Sequence, residues 1–260
     1  MTHLPALMAF DLDDTLAPSK TPTPTRILTL LLELLERTEV AVISGGNFEQ
    51  FESQLLNPLT SLALSKQDLS NPEAVLQKLH LLPTCGTRFY QREDSKWVAR
   101  YEENLTFEER STAAQALEQE AQKLGLWEPL TWGQIIEDRG SQITFSALGQ
   151  RAPVEAKEIW DPSGKKKNWL REAVQKRLPN LEVRSGGSTS IDVTRKGIDK
   201  AYGMRKLQKQ TGIPFENMLF IGDRLDEDGN DYPVKVAGVP CHAVTGWEET
   251  ADFLEKLLGT

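Results

Sequence analysis

Residues 6–10, Ala-Leu-Met-Ala-Phe, form a short apolar run without Gly or Pro that ends directly on Asp11-Leu12-Asp13-Asp14-Thr15. A run of that length and character predicts a strand buried on both faces. Such strands belong to parallel sheets covered by helices, and active sites of those folds lie just beyond the strands' carboxyl ends. Two carboxylates two residues apart at that place form a ready site for divalent-cation and phosphate chemistry. One can attack phosphorus as a nucleophile. The other can protonate the leaving oxygen and then activate water. A hard divalent cation would hold the nucleophile and the phosphate oxygens together. The plainer alternative is a strand end followed by an acidic, solvated turn, so the rest of the chain has to decide.

The pattern along the chain is α/β. Residues 27–36 predict an apolar helix, 40–43 a second short strand closed by Ser44-Gly45-Gly46, and 48–56 and 73–80 two further helices. From residue 88 to about 190 the character changes. Residues 106–124 predict a helix opened by a capping box, Thr106 to Glu109, and ended by Gly125. Residues 142–146 and 181–183 read as half-buried antiparallel strands, with a helix over 169–178 between them. After Gly197 the first pattern returns: a helix over 199–210, strands over 218–221 and 239–244, and a closing helix over 248–258. The expected architecture is therefore a three-layer α/β/α core, residues 1–87 and 189–260, with an α+β insertion over 88–188.

Composition removes several function classes. A net charge of −8 argues against a broad nucleic-acid footprint. The densest apolar stretch, 27–35, is broken by Thr29 and Glu33 and is too short for a membrane span. The first residues carry no signal-peptide pattern, and Cys85 and Cys241 make no disulfide framework. A cytoplasmic protein is expected, without nucleic-acid or membrane partners.

Three further segments speak to the same chemistry as Asp11 and Asp13. Ser44 ends the second strand and, with Gly45 and Gly46, offers a hydroxyl and backbone N–H groups at a helix start, where an anion is favoured. Lys200 opens a helix in Gly197-Ile198-Asp199-Lys200, a poor place for a cation unless an anion is near. Gly222-Asp223 follows an apolar strand, with Asn230-Asp231 in the same acidic loop. Taken in order, these four segments resemble the haloacid dehalogenase (HAD) phosphatase superfamily. The resemblance implies a Rossmann-like core with an aspartyl-phosphate formed on Asp11 and Asp13 as general acid/base. It implies Mg2+ on Asp11, the Asp13 backbone carbonyl and Asp223, with Asp231 nearby, and phosphate oxygens neutralised by Ser44 and Lys200. The family's motif often has Gly where Asp14 stands.

The insertion resembles a type IIB cap, which closes over such a site and selects the substrate. Within that branch the chain is similar to the phosphomannomutase family in three stretches: residues 44–49, Gly186-Gly187-Ser188-Thr189-Ser190-Ile191-Asp192-Val193, and 197–200. The resemblance makes Ser190 and Asp192 contacts to sugar hydroxyls; an ordinary strand edge is the alternative. The family also grips the distal phosphate of a bisphosphorylated sugar with a cap Arg trio. Arg139 matches the first, Gln150 stands where the second is expected with Arg151 adjacent, Lys157 stands near the third, and Lys20 replaces a further Arg of the core. The altered clamp favours a phosphohydrolase acting on a phosphorylated sugar or a similar small phosphate ester. A hexose phosphomutase is the alternative, and a non-catalytic phospho-ligand sensor a more distant one. A monomer or a cap-mediated homodimer is compatible with the resemblance.

Overall fold

The opening apolar run is strand β1 (Leu7–Asp11), every residue of it buried. Helix α1 (Thr25–Arg37) follows and buries Ile27 and six leucines. Strand β2 (Glu39–Ile43) pairs parallel to β1 with Ile43 opposite Asp11. Residues 48–65 make one helical run in three parts: α2 (Phe48–Phe51), a π-helical turn over Glu52–Leu56, and α3 (Asn57–Ser65). A short α4 (Pro72–Leu76), capped by the Asn71 side chain, gives way to β3 (Leu79–Leu82). The helix expected over 73–80 therefore stops early: Leu79, Leu81 and Leu82 are needed in the sheet, where they pack to both faces. Strands β4 (Arg88–Glu93) and β5 (Lys96–Glu102) form a hairpin. Its two turn residues, Asp94 and Ser95, both have positive φ, as a type I′ turn requires.

The chain then enters α5 (Phe107–Lys123), β6 (Ile136–Asp138), β7 (Ile143–Ser146), α6 (Val154–Trp160), α7 (Lys165–Arg177), β8 (Leu181–Ser185) and β9 (Ser190–Arg195). It returns through α8 (Lys200–Thr211), β10 (Met218–Gly222), α9 (Tyr232–Val236), β11 (Cys241–Ala243) and α10 (Trp247–Leu258). The computed structural model describes residues 4–67, 69–186 and 188–259. Gly187, part of the stretch 186–193 compared above, lies outside the described residues.

Two units result, Met1–Glu102 with Asp199–Thr260, and Glu103–Ile198. The first holds a seven-stranded sheet in the order β11-β10-β1-β2-β3-β4-β5, parallel except for the β4 and β5 additions. Alternation along the strands builds two apolar layers. Met8, Phe10, Val40 and Val42 pack with leucines of α1 and α10 on one face. Leu7, Ala9, Ala41, Ile43 and Phe220 pack with Met204 and Leu207 of α8 on the other. This is the expected three-layer α/β/α architecture. The second unit is a four-stranded antiparallel sheet, β6-β7-β9-β8, with α5 and α7 covering its apolar face through Ala113, Leu117, Leu170 and Val174.

The boundaries differ from the expected 87/88 and 188/189. The β4–β5 hairpin joins the seven-stranded sheet through β3, and β9 pairs between β7 and β8. The insertion accordingly starts at Glu103 and ends at Ile198. Among the described residues no helix is long and apolar enough to cross a membrane.

Candidate active site

β1 sits centrally, so its end meets the ends of β2 on one side and β10 on the other. That register brings together residues from three distant parts of the chain. Lys200, the first residue of α8, is buried with its Nζ 2.6 Å from Asp11 Oδ1 and 2.5 Å from Asp231 Oδ1. The two carboxylates are the anions that make a lysine tenable at a helix start; Asp199 caps the same helix by accepting the Tyr202 N–H. The second oxygen of Asp231 accepts the Arg224 N–H at 3.1 Å. Asp223, at the end of β10, accepts the Thr15 hydroxyl at 3.3 Å, which gives the buried threonine of the first motif a task.

Asp11, Asp223 and Asp231 each offer an oxygen within 4.8 Å of the others. Three carboxylates against one ammonium leave an excess of negative charge in a buried place. Burial pushes the Asp11 carboxyl up, Lys200 opposes this, and Asp231 and Asp223 add to it. Burial, then Asp231, pushes Asp223 up as well. Burial works against the Lys200 ammonium, yet Asp11 and Asp231 outweigh it and hold the charge firmly. An all-oxygen set with unbalanced negative charge fits a hard divalent cation such as Mg2+.

Asp13 does not join that cluster with its side chain. Its carboxylate turns to the helical run after β2: Oδ2 accepts Gln50 Nε2 at 2.9 Å, and Oδ1 accepts Gln54 Nε2 at 3.2 Å. Oδ1 also accepts the backbone N–H of Lys20 at 2.7 Å, so the backbone of Lys20 reaches the site while its residue is exposed. Ser44 is buried at the end of β2, and its hydroxyl accepts the Gly46 N–H at 3.1 Å while keeping its own proton to donate. Gly45 follows in the same turn. Gln50 and Gln54 belong to none of the four segments; their one mark in the sequence is a spacing of four behind the Asn47 cap, which places both on one helix face.

The remaining candidate residues lie in the second unit, with Ser190 and Asp192 on one face of its sheet. Thr144 pairs with Asp192 and Ser146 with Ser190 across β7 and β9, and Thr144 donates to Asp192 at 2.7 Å. Arg139 lies 2.8 Å from Glu137 and 3.4 Å from Gln150, which in turn donates to Ser146 at 2.9 Å. Arg139 and Gln150 are thus brought together. Arg151 is exposed and lies along Gly133, and Lys157 is half-buried on α6.

The sequence profile described as eukaryotic phosphomannomutase matches residues 117–260. A phosphomannomutase from Encephalitozoon cuniculi is 24% identical over 242 residues, covering 88% of this chain and 83% of that protein. One from Saccharomyces cerevisiae is 25% identical over 257 residues, covering 96% and 93%. Among solved structures, N-terminally truncated Plasmodium falciparum IMP-nucleotidase superimposes with a TM-score of 0.70 at 17% identity, over 98% of this chain and 70% of that one. A haloacid dehalogenase-like hydrolase from Bacteroides thetaiotaomicron gives 0.62 at 17% identity, over 96% and 98%. Those two likenesses speak for the fold alone. The profile, which covers more than half of the chain, speaks for the family, and this chain belongs to the eukaryotic phosphomannomutase family.

Proposed function

We propose that the chain is a Mg2+-dependent hexose phosphomutase working through an aspartyl-phosphate on Asp11. The observation that carries this reading is the buried Lys200 held between Asp11 and Asp231, in a chain whose relatives are phosphomannomutases along most of their length. In this reading Asp11 attacks: an Oδ atom forms a bond to phosphorus as the bond from phosphorus to the ester oxygen breaks. Asp13 gives its proton to that oxygen. In the return step Asp13 takes the proton of the attacking hydroxyl, and Asp11 leaves as a carboxylate. Lys200 and the Ser44 hydroxyl neutralise the phosphoryl oxygens, with the Gly45 turn beside them. A cation held by Asp11, Asp223 and Asp231, with the Asp13 carbonyl, would add positive charge where the phosphoryl group gathers negative charge.

A mutase must also hold a second phosphate while the first reacts. Arg139, Gln150, Arg151, Lys157 and Lys20 are the residues assigned to that grip, and Ser190 and Asp192 to the sugar hydroxyls. Guanidinium pairs are the stronger anion ligands, and here Glu137 already occupies Arg139. That pairing supports the second reading, a phosphohydrolase in which water takes the phosphoryl group.

One experiment separates the two. Isomerisation of mannose 1-phosphate and glucose 1-phosphate is followed with a bisphosphate activator and Mg2+, beside phosphate release, for wild type and Asp11→Asn. Isomerisation well above release is the expected result, with both lost in the variant. Release alone selects the hydrolase. Neither activity in the wild type rejects both and leaves a phospho-ligand sensor.

A further inference from the structure

We infer that Gln50 and Gln54 are positioning residues that hold Asp13 in place for proton transfer; the inference rests on Asp13 acting as the acid/base. Their two amides supply four N–H hydrogens, and all four have acceptors. Gln50 Nε2 donates to Asp13 Oδ2 at 2.9 Å and to Gln54 Oε1 at 2.6 Å. Gln54 Nε2 donates to Asp13 Oδ1 at 3.2 Å and to the Thr21 carbonyl at 3.0 Å. The direction of the chain follows from its ends: a carboxylate and a backbone carbonyl only accept, so both amides must point their nitrogens at Asp13.

The helix is shaped for this. Gln50 lies in the first turn, set by Asn47 accepting its N–H. Gln54 falls inside the π-helical turn and is buried. Such turns recur at functional sites because they re-aim side chains that a regular helix would place elsewhere. A third contact ties the pair to the anion-binding turn. A Cβ on Gly46 would collide with the Gln50 amide, so that side chain lies directly against the Ser44-Gly45-Gly46 turn. Gln50 therefore touches both the group that meets the phosphate and the group that handles the proton. Proton transfer to a leaving oxygen depends steeply on placement, and without these two amides the Asp13 carboxylate keeps the Lys20 N–H on Oδ1 but loses the donor on Oδ2.

The test uses the leaving group. A sugar alkoxide departs only with a proton, whereas p-nitrophenolate departs without one. Single-turnover phosphorylation of the full chain is compared for glucose 1-phosphate and p-nitrophenyl phosphate in Gln50→Met, Gln54→Met and the double variant, with Mg2+ present. Methionine keeps length and removes the donors. For the sugar ester the expected loss in rate is about 10–100-fold, with apparent KM within about three-fold, and it exceeds the loss on the nitrophenyl ester by roughly ten-fold. The double variant should lose about as much as the worse single one, since the residues act as a unit. Equal losses on the two esters, or none, overturn the inference while the functional reading stands. A wild type that transfers phosphate from neither ester overturns both. Gln50 is half-buried and its variant is the safer for folding, with the thermal midpoint as check.

Discussion

Asp14 stands at φ 60°, in the left-handed region, directly after Asp13. Aspartate is among the few residues that visit this region readily, because its short side chain can bond locally. Here Asp14 Oδ1 accepts the Ser19 N–H at 3.1 Å, and its own N–H reaches the Ala17 carbonyl at 2.7 Å. Asp14→Ala keeps the unfavourable backbone and loses the acceptor, so a cost of about 1–2 kcal/mol is expected, read as a lower denaturation midpoint. Asp14→Gly should lie well nearer wild type in the same calorimetric measurement. The residues that carry charge, Asp11, Lys200, Asp223 and Asp231, were legible in the sequence because each ends a strand or opens a helix beside a glycine or an acidic neighbour. Gln50 and Gln54 were not. A neutral amide on a helix carries no chemical mark, and these two meet Asp13 from 37 and 41 residues away.

Helix α5 shows an element readable from four residues. Thr106 accepts the Glu109 N–H at 3.1 Å, Glu109 accepts the Thr106 N–H at 2.7 Å, and Arg195 of β9 adds a 3.0 Å pair. Arg195, then the Thr106 N–H, hold the Glu109 carboxyl below its ordinary range. A depressed folded value means that this stabilisation is present above the unfolded value and is lost as pH falls through the folded one. Glu109→Gln should therefore melt lower than wild type at neutral pH, with the gap closing in acid. Thr106→Ala should cost about 1 kcal/mol whatever the pH. Helix α8 makes a different demand. A Cβ on Gly203 would press on the Cys85 carbonyl at 2.7 Å, in a turn where Thr84 and Cys85 both have positive φ. Gly203→Ala should cost about 1–3 kcal/mol, measured by chemical denaturation. Among the elements that the sequence concealed are β3, β4 and β5. Leu-His-Leu-Leu continues a helix-like apolar pattern after α4, and β4 and β5 extend the sheet to an edge. There, half-exposed residues replace the continuous apolar run that revealed β1, β2 and β10.

Over the whole molecule the candidate metal ligands come from both ends of the sequence, Asp11 from the first strand and Asp223 and Asp231 from beyond the insertion. Cation binding should therefore stabilise the seven-stranded unit as a whole. At a hundred times its dissociation constant the ion contributes about 2.7 kcal/mol, a rise in Tm on the order of 5 °C. Asp223→Asn should remove that rise. It should also raise the Tm of the metal-free protein, because it relieves one of three crowded carboxylates while keeping an acceptor for Thr15. A scan of both proteins with Mg2+ and with chelator reads both effects. The pairing of β1 with β10, Leu7 opposite Met218, has a further consequence for how the chain is made. At usual synthesis rates of about 5–20 residues per second, on the order of ten to forty seconds separate the appearance of the two strands. During that time a strand with four apolar residues, Leu7 to Phe10, waits with one edge unpaired, while the contiguous insertion can complete its own sheet. The nascent chain is thus at its stickiest in its first segment, and ribosome-bound intermediates ending before residue 218 should be the ones that recruit chaperones.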